Sequence, residues 1–387
     1  MQTGRKWLNK KAIFLAIIVL IVVLFSSLLI VNFNTDVPNK REFYVGVEVA
    51  YGDYGDLTSL VDEVKNYTNL VVLGLPEVSI NQTLLNMSCD YIYNSGLHFI
   101  VLFTNISEYE SWQDYTPAQW VTNAMGKYGG KFLAVYRWDE PGGDQLDRSK
   151  YQEVKNASDY VDAAAQYINV LSEPIQYFKN TGQTVLTSDY GLYWFDYDAG
   201  YDLVLAEFGW NNSREQQVAL CRGAARAHDK DWGAMITWTF NQEPYLEPET
   251  MYDDLVFAYN NGAKYAVVFS YPQIAAHGTL DQEHLNKLKN FWTYISRNGP
   301  TNAEYEKIKI AYVLPSNYGF GFRNPQDSIW GLWSGDNQTQ KIYNEVNDLI
   351  EQYGTNFDIL CDYSKLITDT HNHYNALIYW NGTTINP

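Results

Sequence analysis

The stretch from Lys131 to Pro141 reads K-F-L-A-V-Y-R-W-D-E-P, a short apolar run that ends in two acids and a proline. Its β-branched and aromatic residues predict a strand that stops at Asp139-Glu140-Pro141. Two carboxylates beside Trp138 at a strand end are well placed to reach into a cleft. If this strand belongs to a barrel, acids at the carboxyl ends of its neighbours converge on the same open face.

Seven similar runs accompany this one along the chain. They are mostly continuous apolar runs rather than alternating ones, which is typical of strands buried on both faces of a parallel sheet. The predicted strands are Phe43–Val49, Leu70–Leu75, His98–Phe103, Phe132–Tyr136, Thr184–Ser188, Leu203–Phe208, Gly233–Thr239 and Tyr265–Ser270. Helical patterns lie between most of them, at Leu57–Asn66, Ser158–Asn180, Ser213–His228 and Tyr252–Asn261.

This order predicts an α/β fold, a (β/α)8 TIM barrel over residues 41–299, close to the ~250 residues usual for such barrels. A doubly wound open sheet is the alternative, but Gly52-Asp53-Tyr54-Gly55 after the first strand is acidic and aromatic rather than a Gly-rich phosphate turn. The fifth and sixth strands are separated only by Asp189–Asp202, which leaves little room for a helix.

The pattern restarts in residues 300–387. Lys309–Leu314, Phe357–Cys361 and Ala376–Trp380 are predicted strands, and Thr339–Tyr353 is a predicted amphipathic helix. Residues 300–387 are therefore predicted to form a small C-terminal α/β domain that packs on the barrel.

The N-terminus predicts export and anchoring. Residues 12–31 carry no charge and are long enough, at about 20 residues, to cross a bilayer as a helix. The basic tail 1–11 should stay cytoplasmic, and the rest, after a linker at 32–40, should be extracellular. A cleaved signal peptide is the alternative, but Leu28-Leu29-Ile30-Val31 continues the apolar phase without an A-x-A exit.

The net charge and the glycosylation sequons limit the classes of partner that we expect for this protein. The formal net charge is −18, and the four basic residues of the tail contribute +4, so the remainder carries −22. This balance argues against nucleic acid or an anionic membrane surface as partner and suits a neutral or cationic ligand. Eight Asn-x-Ser/Thr sequons predict a glycosylated surface protein; they are Asn66, Asn81, Asn86, Asn105, Asn156, Asn211, Asn337 and Asn381. Cys89, Cys221 and Cys361 are too few and too scattered for a disulfide framework, and we expect all three to be buried apolar side chains.

Acids and flat aromatic rings share the predicted strand ends, a combination that suits sugars. Aromatic faces stack on pyranose rings, and two carboxyl groups can cleave a glycosidic bond. The candidate catalytic residues are Glu140, Glu207 and, one step further into a loop, Glu243. Candidate substrate contacts are Glu48, Asp139 and Asp189, which would orient hydroxyls, together with the aromatic residues Trp138, Tyr190, Trp210, Trp238 and Tyr271.

Structural roles for the same acids stay open at this point. Glu140 could cap the following helix or pair with Arg137, and Glu207 could pair with Arg222 or Arg226. The pair His371 and His373 lies in a polar turn without an evident third ligand, so neither a metal nor another cofactor is predicted.

At these residues the chain resembles glycoside hydrolases of the (β/α)8 class. D-E-P at Asp139–Pro141 is similar to the N-E-P of the large retaining clan, where the Glu is the acid/base; Asp139 replaces an Asn that contacts the sugar 2-hydroxyl. A-E-F-G-W at Ala206–Trp210 resembles the nucleophile strand of that clan, which is usually the seventh, whereas here it is the sixth. The C-terminal part, from V-L-P-S-N-Y-G-F-G-F at Val313–Phe322 to A-L-I-Y-W-N-G at Ala376–Gly382, resembles the flavodoxin- or amidotransferase-like accessory domain of β-galactosidase-type enzymes.

The resemblance implies a membrane-anchored, outward-facing glycoside hydrolase that acts on an oligo- or polysaccharide. A non-catalytic glycan-binding or cell-envelope structural protein is the rival interpretation. The sequence does not indicate the sugar, the linkage or the oligomeric state.

Overall fold

Eight parallel strands pair in chain order, and the last pairs with the first to close a barrel. The structure is a computed structural model that describes residues 42–112, 116–239, 245–297, 310–362 and 374–386. The strands are β1 Tyr44–Val49, β2 Leu70–Leu73, β3 His98–Phe103, β4 Phe132–Arg137, β5 Val185–Asp189, β6 Leu203–Phe208, β7 Asp231–Ile236 and β8 Tyr265–Phe269. The predicted barrel is confirmed, and the pairing of β1 with β8 rules out an open sheet.

Ten α-helices of the described residues surround the strands or connect them. They are α1 Tyr54–Val64, α2 Pro76–Ser79, α3 Gln82–Asn94, α4 Pro117–Tyr128, α5 Pro141–Asp147, α6 Tyr160–Lys179, α7 Tyr193–Ala199, α8 Arg214–Ala227, α9 Pro248–Asn260 and α10 Gln282–Arg297. The four predicted helices correspond to α1, α6, α8 and α9. In the short gap between β5 and β6, the seven residues of α7 form a helix that the sequence pattern does not reveal.

Helix α1 shows how local sequence determines these elements. The Asp53 side chain accepts hydrogen bonds from the backbone N–H groups of Gly55 and Asp56, and the Asp56 side chain accepts one from the Asp53 N–H, which makes a capping box. The buried residues Leu57, Leu60, Val61 and Val64 recur every three or four positions and form one apolar face. That face packs toward the barrel.

A second sheet follows the barrel. Its strands are β9 Ile310–Leu314, β10 Phe357–Cys361, β11 Ala376–Tyr379 and β12 Thr384–Ile385, with α11 Asn337–Tyr353 between the first two. The order is β10-β9-β11-β12; only β12 is antiparallel to its neighbour. The predicted C-terminal strands and helix are therefore present. Residues 43–387 form one compact unit, and the boundary at 299/300 and the accessory-domain resemblance stay predictions.

Helix α8 joins the two sheets because it packs on both. A Cβ on Gly223 would lie 2.3 Å from the backbone oxygen of Ile359, so only glycine permits this approach of helix to strand. The same helix also forms an ion pair with strand β10. Arg222 Nε lies 2.7 Å from Asp358 Oδ1, and both side chains are buried. The C-terminal sheet thus uses a barrel helix as one of its covering layers.

Several sequence predictions fall outside the described residues. These include the tail 1–11, the apolar segment 12–31, the linker 32–40, Glu243 and the pair His371 and His373. In the ranges that the structure describes, no helix combines the length and the apolar character needed to span a bilayer. Cys89, Cys221 and Cys361 are buried free thiols, as expected from the sequence.

Candidate active site

Strand alternation directs two acids into the barrel. In β6, Leu203 and Leu205 face the barrel interior, and Glu207 follows them with the same period of two. In β1 the same period places Glu48 on the face of Tyr44, which is part of the same interior cluster. Both acids are 3% exposed. They therefore form part of the uppermost layer of the barrel interior, at the carboxyl ends of their strands.

The chain turns sharply after β4 and brings Glu140 to this mouth. Trp138 and Glu140 have φ angles of 68° and 49°, in a left-handed region that costs non-glycine residues about 1–2 kcal/mol each. Pro141 then starts α5, where its missing N–H and fixed φ are favourable. Glu140 occupies the N-cap position, but its side chain makes no capping hydrogen bond. The capping role considered from the sequence is wrong.

A buried carboxylate holds this turn in place. Asp189, at the end of β5, is fully buried and accepts N–H groups of Gly142 (2.5 Å), Gly143 (2.9 Å), Tyr190 (2.7 Å) and Gly191 (3.2 Å). Burial raises the pKa of Asp189 to about 7, and these backbone donors oppose the shift. A Cβ on Gly142 would lie 2.8 Å from Asp189 Oδ2, so only glycine fits there. These backbone contacts give Asp189 a structural role at the turn, and its expected role in orienting sugar hydroxyls stays a prediction.

The carboxyl groups of Glu140 and Glu207 are in hydrogen-bonding contact with each other. Ser188 donates to Glu207 Oε1 at 2.8 Å, whereas no N–H or O–H group of the described residues reaches Oε2. The hydrogen bond between the two carboxyl groups lowers the pKa of Glu140 and raises that of Glu207. Burial, then the charge of Asp139, raises the pKa of Glu140 to about 8. Burial, then the charge of Glu140, raises the pKa of Glu207 as well. Near neutral pH the pair retains a proton.

The cations that could have neutralised this pair are engaged elsewhere. Arg137 follows inward-facing Tyr136 in β4 and so faces the surrounding helices, with its guanidinium carbon 4.9 Å from the ring of Trp138. Arg222 and Arg226 both pair with Asp358, at 2.7 and 2.9 Å. The structural roles considered for the two glutamates as partners of these arginines are wrong.

Two hydroxyl groups that the sequence analysis missed connect the acids. Tyr136 donates to Asp139 Oδ1, and Ser188 lies 3.0 Å from that oxygen and 2.7 Å from the Tyr136 hydroxyl. The Ser188 hydroxyl has one proton and two carboxylate acceptors, so it can donate a hydrogen bond to Glu207 or to Asp139 but not to both. Their signal in the sequence is a polar side chain at an inward position of an otherwise apolar strand.

Glu48 completes the group of acids. Its Oε2 has no hydrogen-bond partner in the described part of the chain, and burial, then the charge of Asp139, raises its pKa well above the usual range. A Cβ on Gly74 would lie 2.2 Å from Glu48 Oε1, so the glycine makes room for this carboxylate. In the ranges that the structure describes, no three His, Cys, Asp or Glu residues form a metal-binding group.

Aromatic rings accompany the acids at the ends of β4 to β8. Trp210 and Tyr271 are 38% and 47% exposed, and Trp138 and Trp238 are half-buried. Trp238 and Tyr271 lie 6.1 Å apart between ring centroids. Tyr190 is buried instead: its hydroxyl donates to Asp147 at 2.8 Å, and its ring meets Trp210 edge-on at 5.6 Å. Tyr190 therefore packs against Trp210, and its expected contact with sugar stays a prediction.

Comparison with solved structures agrees with the barrel. An α-L-fucosidase from Paenibacillus thiaminolyticus matches 87% of this chain at 12% identity with a TM-score of 0.50; the match covers 60% of that enzyme's chain. An endo-β-1,4-mannanase from Thermotoga petrophila matches 70% of this chain and 82% of its own at 10% identity (TM-score 0.44). An endo-1,4-β-mannanase from Eisenia fetida matches 65% of this chain and 91% of its own at 11% identity (TM-score 0.45). No family profile and no curated protein sequence matches the chain. At these identities the likeness concerns the fold alone, which is the (β/α)8 barrel that the strand pairing shows.

Proposed function

We propose that this protein is a glycoside hydrolase in which Glu140 is the general acid/base and Glu207 the nucleophile. The observation that carries the proposal is the contact between their two carboxyl groups at the carboxyl end of the barrel, where no cation of the described residues forms an ion pair with them. A general acid must hold its proton near neutral pH, and the raised pKa of Glu140 meets this need.

The contact favours the retaining reaction over the inverting one. Inverting enzymes hold their carboxyl groups about 6.5–9.5 Å apart to admit a water between acid and base, whereas retaining enzymes hold them about 5–5.5 Å apart. Two carboxyl groups in hydrogen-bonding contact lie nearer to the retaining separation than to the inverting one. Glu207 would therefore act directly on the sugar.

The reaction proceeds in two displacements. Glu140 gives its proton to the glycosidic oxygen as the bond to the anomeric carbon breaks, and a carboxylate oxygen of Glu207 forms a bond to that carbon. Glu140, now ionised, takes a proton from water, whose oxygen displaces Glu207 from the anomeric carbon. The Ser188 hydroxyl stabilises the ionised form of Glu207 before the first displacement and after the second.

The aromatic residues supply the surface on which the sugar would lie. The exposed rings of Trp210 and Tyr271 are suited to stacking on pyranose faces, with Trp138 and Trp238 as half-buried neighbours. Asp139 and Glu48 are the acids that remain to orient hydroxyls.

A screen of glycan hydrolysis by the full chain tests the proposal. Glu140→Gln should hydrolyse any glycan that the wild type cleaves at least about 100-fold more slowly, since general acid catalysis accelerates a reaction about 10²–10⁴-fold. Glu207→Ala should also be inactive, and added azide should restore turnover by replacing the missing nucleophile. Unchanged turnover in Glu140→Gln would remove the assignment.

The rival function, glycan binding without cleavage, is favoured by one observation: Glu207 is 3% exposed and Glu140 covers it. Binding must move Glu140 aside before Glu207 reaches a sugar. Glycan binding by the wild type without hydrolysis of any bound glycan would establish the rival.

We also propose that residues 12–31 anchor the protein with its barrel outside the cell. The uncharged segment and the preceding basic residues support this orientation. Protease treatment of intact cells should then remove the barrel, and a protease-resistant barrel that appears only after lysis would contradict it.

A further inference from the structure

The mouth of the barrel contains a group of acids that no cation of the described residues neutralises. Glu48, Asp139, Glu140 and Glu207 meet there, and none forms an ion pair with a Lys, Arg or His side chain of the described residues. Every neighbouring charge that shifts the pKa of Glu48, Glu140 or Glu207 belongs to another carboxyl group. The two barrel segments outside the described ranges, 113–115 and 240–244, contain no basic residue in their sequence.

Hydrogen-bond donors are scarce at the same place. Among the described residues, apart from the acids themselves, the Tyr136 and Ser188 hydroxyls donate to this group, and both are already engaged. Oε2 of Glu48 and Oε2 of Glu207 have no donor from the described residues, although both side chains are more than nine-tenths buried. Tyr136 donates to Asp139 at Oδ1, which also lies within hydrogen-bonding distance of Ser188, and the residue is exposed.

The chemistry of the missing partner follows from this imbalance. A sugar hydroxyl both donates and accepts, and an N-acetyl group brings a carbonyl acceptor together with its N–H. An ammonium group brings a positive charge and three donors, and it accepts nothing. A uronic acid would add a further negative charge and be repelled.

We propose that the preferred substrate is an oligosaccharide of hexosamine units with free amines, and that Asp139 Oδ2 binds an ammonium group. This specificity rests on the proposed glycoside hydrolase function and identifies its substrate class. The net charge of −18 draws the same polycation from solution and accelerates its encounter with the site.

A matched series of β-1,4-linked hexamers tests the specificity, because glucosamine, N-acetylglucosamine and glucose units differ only at C2. The full chain should hydrolyse the glucosamine hexamer with a kcat/KM at least tenfold above either other hexamer. Added salt should reduce this ratio. Asp139→Asn should reduce it toward one, mainly through KM for the amine-bearing hexamer.

Asp231→Asn is the matched control. It removes the same charge at the first residue of β7, at the opposite end of the barrel, where Asp231 pairs with Lys264. The ratio should not change in this variant. If Asp231→Asn lowers the ratio as much as Asp139→Asn, general charge and not the site selects the amine, and the assignment to Asp139 is overturned.

The outcomes separate this inference from the proposed function. Equal or faster hydrolysis of the acetylated or neutral hexamer overturns the amine preference and leaves the hydrolase intact. If the wild type hydrolyses none of the three hexamers, the hydrolase proposal fails for these substrates, and calorimetry measures their binding instead. Tighter binding of the glucosamine hexamer than of the other two would then support the amine site. Binding of none of the three overturns the inference.

Discussion

Replacing Glu140 by Gln should stabilise the folded protein while it abolishes turnover. The pKa of Glu140 is raised from 4.5 to about 8, first by burial and then by the charge of Asp139. Between these two pH values the folded state keeps a proton that the unfolded state releases, so wild-type stability is fully present below the lower value and falls as pH rises. Gln is neutral throughout and avoids this loss.

The size of the effect follows from the shift. One pH unit corresponds to about 1.4 kcal/mol, which sets an upper limit of about 5 kcal/mol over the whole window. Because Glu140 is partly exposed, solvent screening reduces this, and we expect about 1–2 kcal/mol in favour of Glu140→Gln at pH 8. The amide can still donate to Glu207, so the contact within the pair is kept.

Urea unfolding of both proteins at pH 5, 6, 7 and 8 measures the difference. The free energy of unfolding of Glu140→Gln minus that of the wild type should grow steadily across this series. Glu351→Gln, on the exposed side of α11, should show no such trend. A constant difference, or a variant that is less stable than the wild type at pH 8, would refute the reasoning.

Three other predictions concern the acid, the turn that holds it and the contact between helix α8 and the second sheet. The kcat/KM profile should fall above about pH 8 as Glu140 loses its proton, and a flat profile into the alkaline range would contradict its role as acid. Gly142→Ala should lower kcat and should lower the free energy of unfolding in urea by ~1–3 kcal/mol, because the added Cβ has no space. Gly126→Ala should change neither, because no atom lies within 4 Å of the added Cβ. Arg222→Met should lower the free energy of unfolding by about 3 kcal/mol, because it removes an ion-pair partner of the buried Asp358. Adding Asp358→Leu to this variant should recover part of that loss.

The barrel could be predicted because each strand is buried on both faces and leaves a continuous apolar run in the sequence. The boundaries differ from the prediction by a few residues at most. Helix α7 was missed because its residues Tyr193–Ala199 are nearly all buried, so they show no amphipathic period. The sequence pattern there is compatible with a loop of the same length.

The site was predictable only as far as strand direction could be inferred. Glu207 shares its period of two with Leu203 and Leu205, so its inward orientation is encoded locally. Asp189 and Ser188 are adjacent, and a one-residue step decides that Ser188 reaches the acids while Asp189 points outward to the start of α5. The contact between Glu140 and Glu207 depends on the closure of the barrel, which no local pattern describes.

The C-terminal part belongs to the site because it holds the helix that begins after Glu140. Gln145 in α5 is fully buried, and its amide donates to the backbone oxygen of Trp330 at 2.7 Å. Asp147, at the end of that helix, ion-pairs with Arg323. Asp189 fixes the start of α5 and the C-terminal part fixes its end, so the left-handed turn at Glu140 cannot relax without breaking buried hydrogen bonds. The strain that aims the acid at the mouth of the barrel is therefore maintained by residues from both sheets.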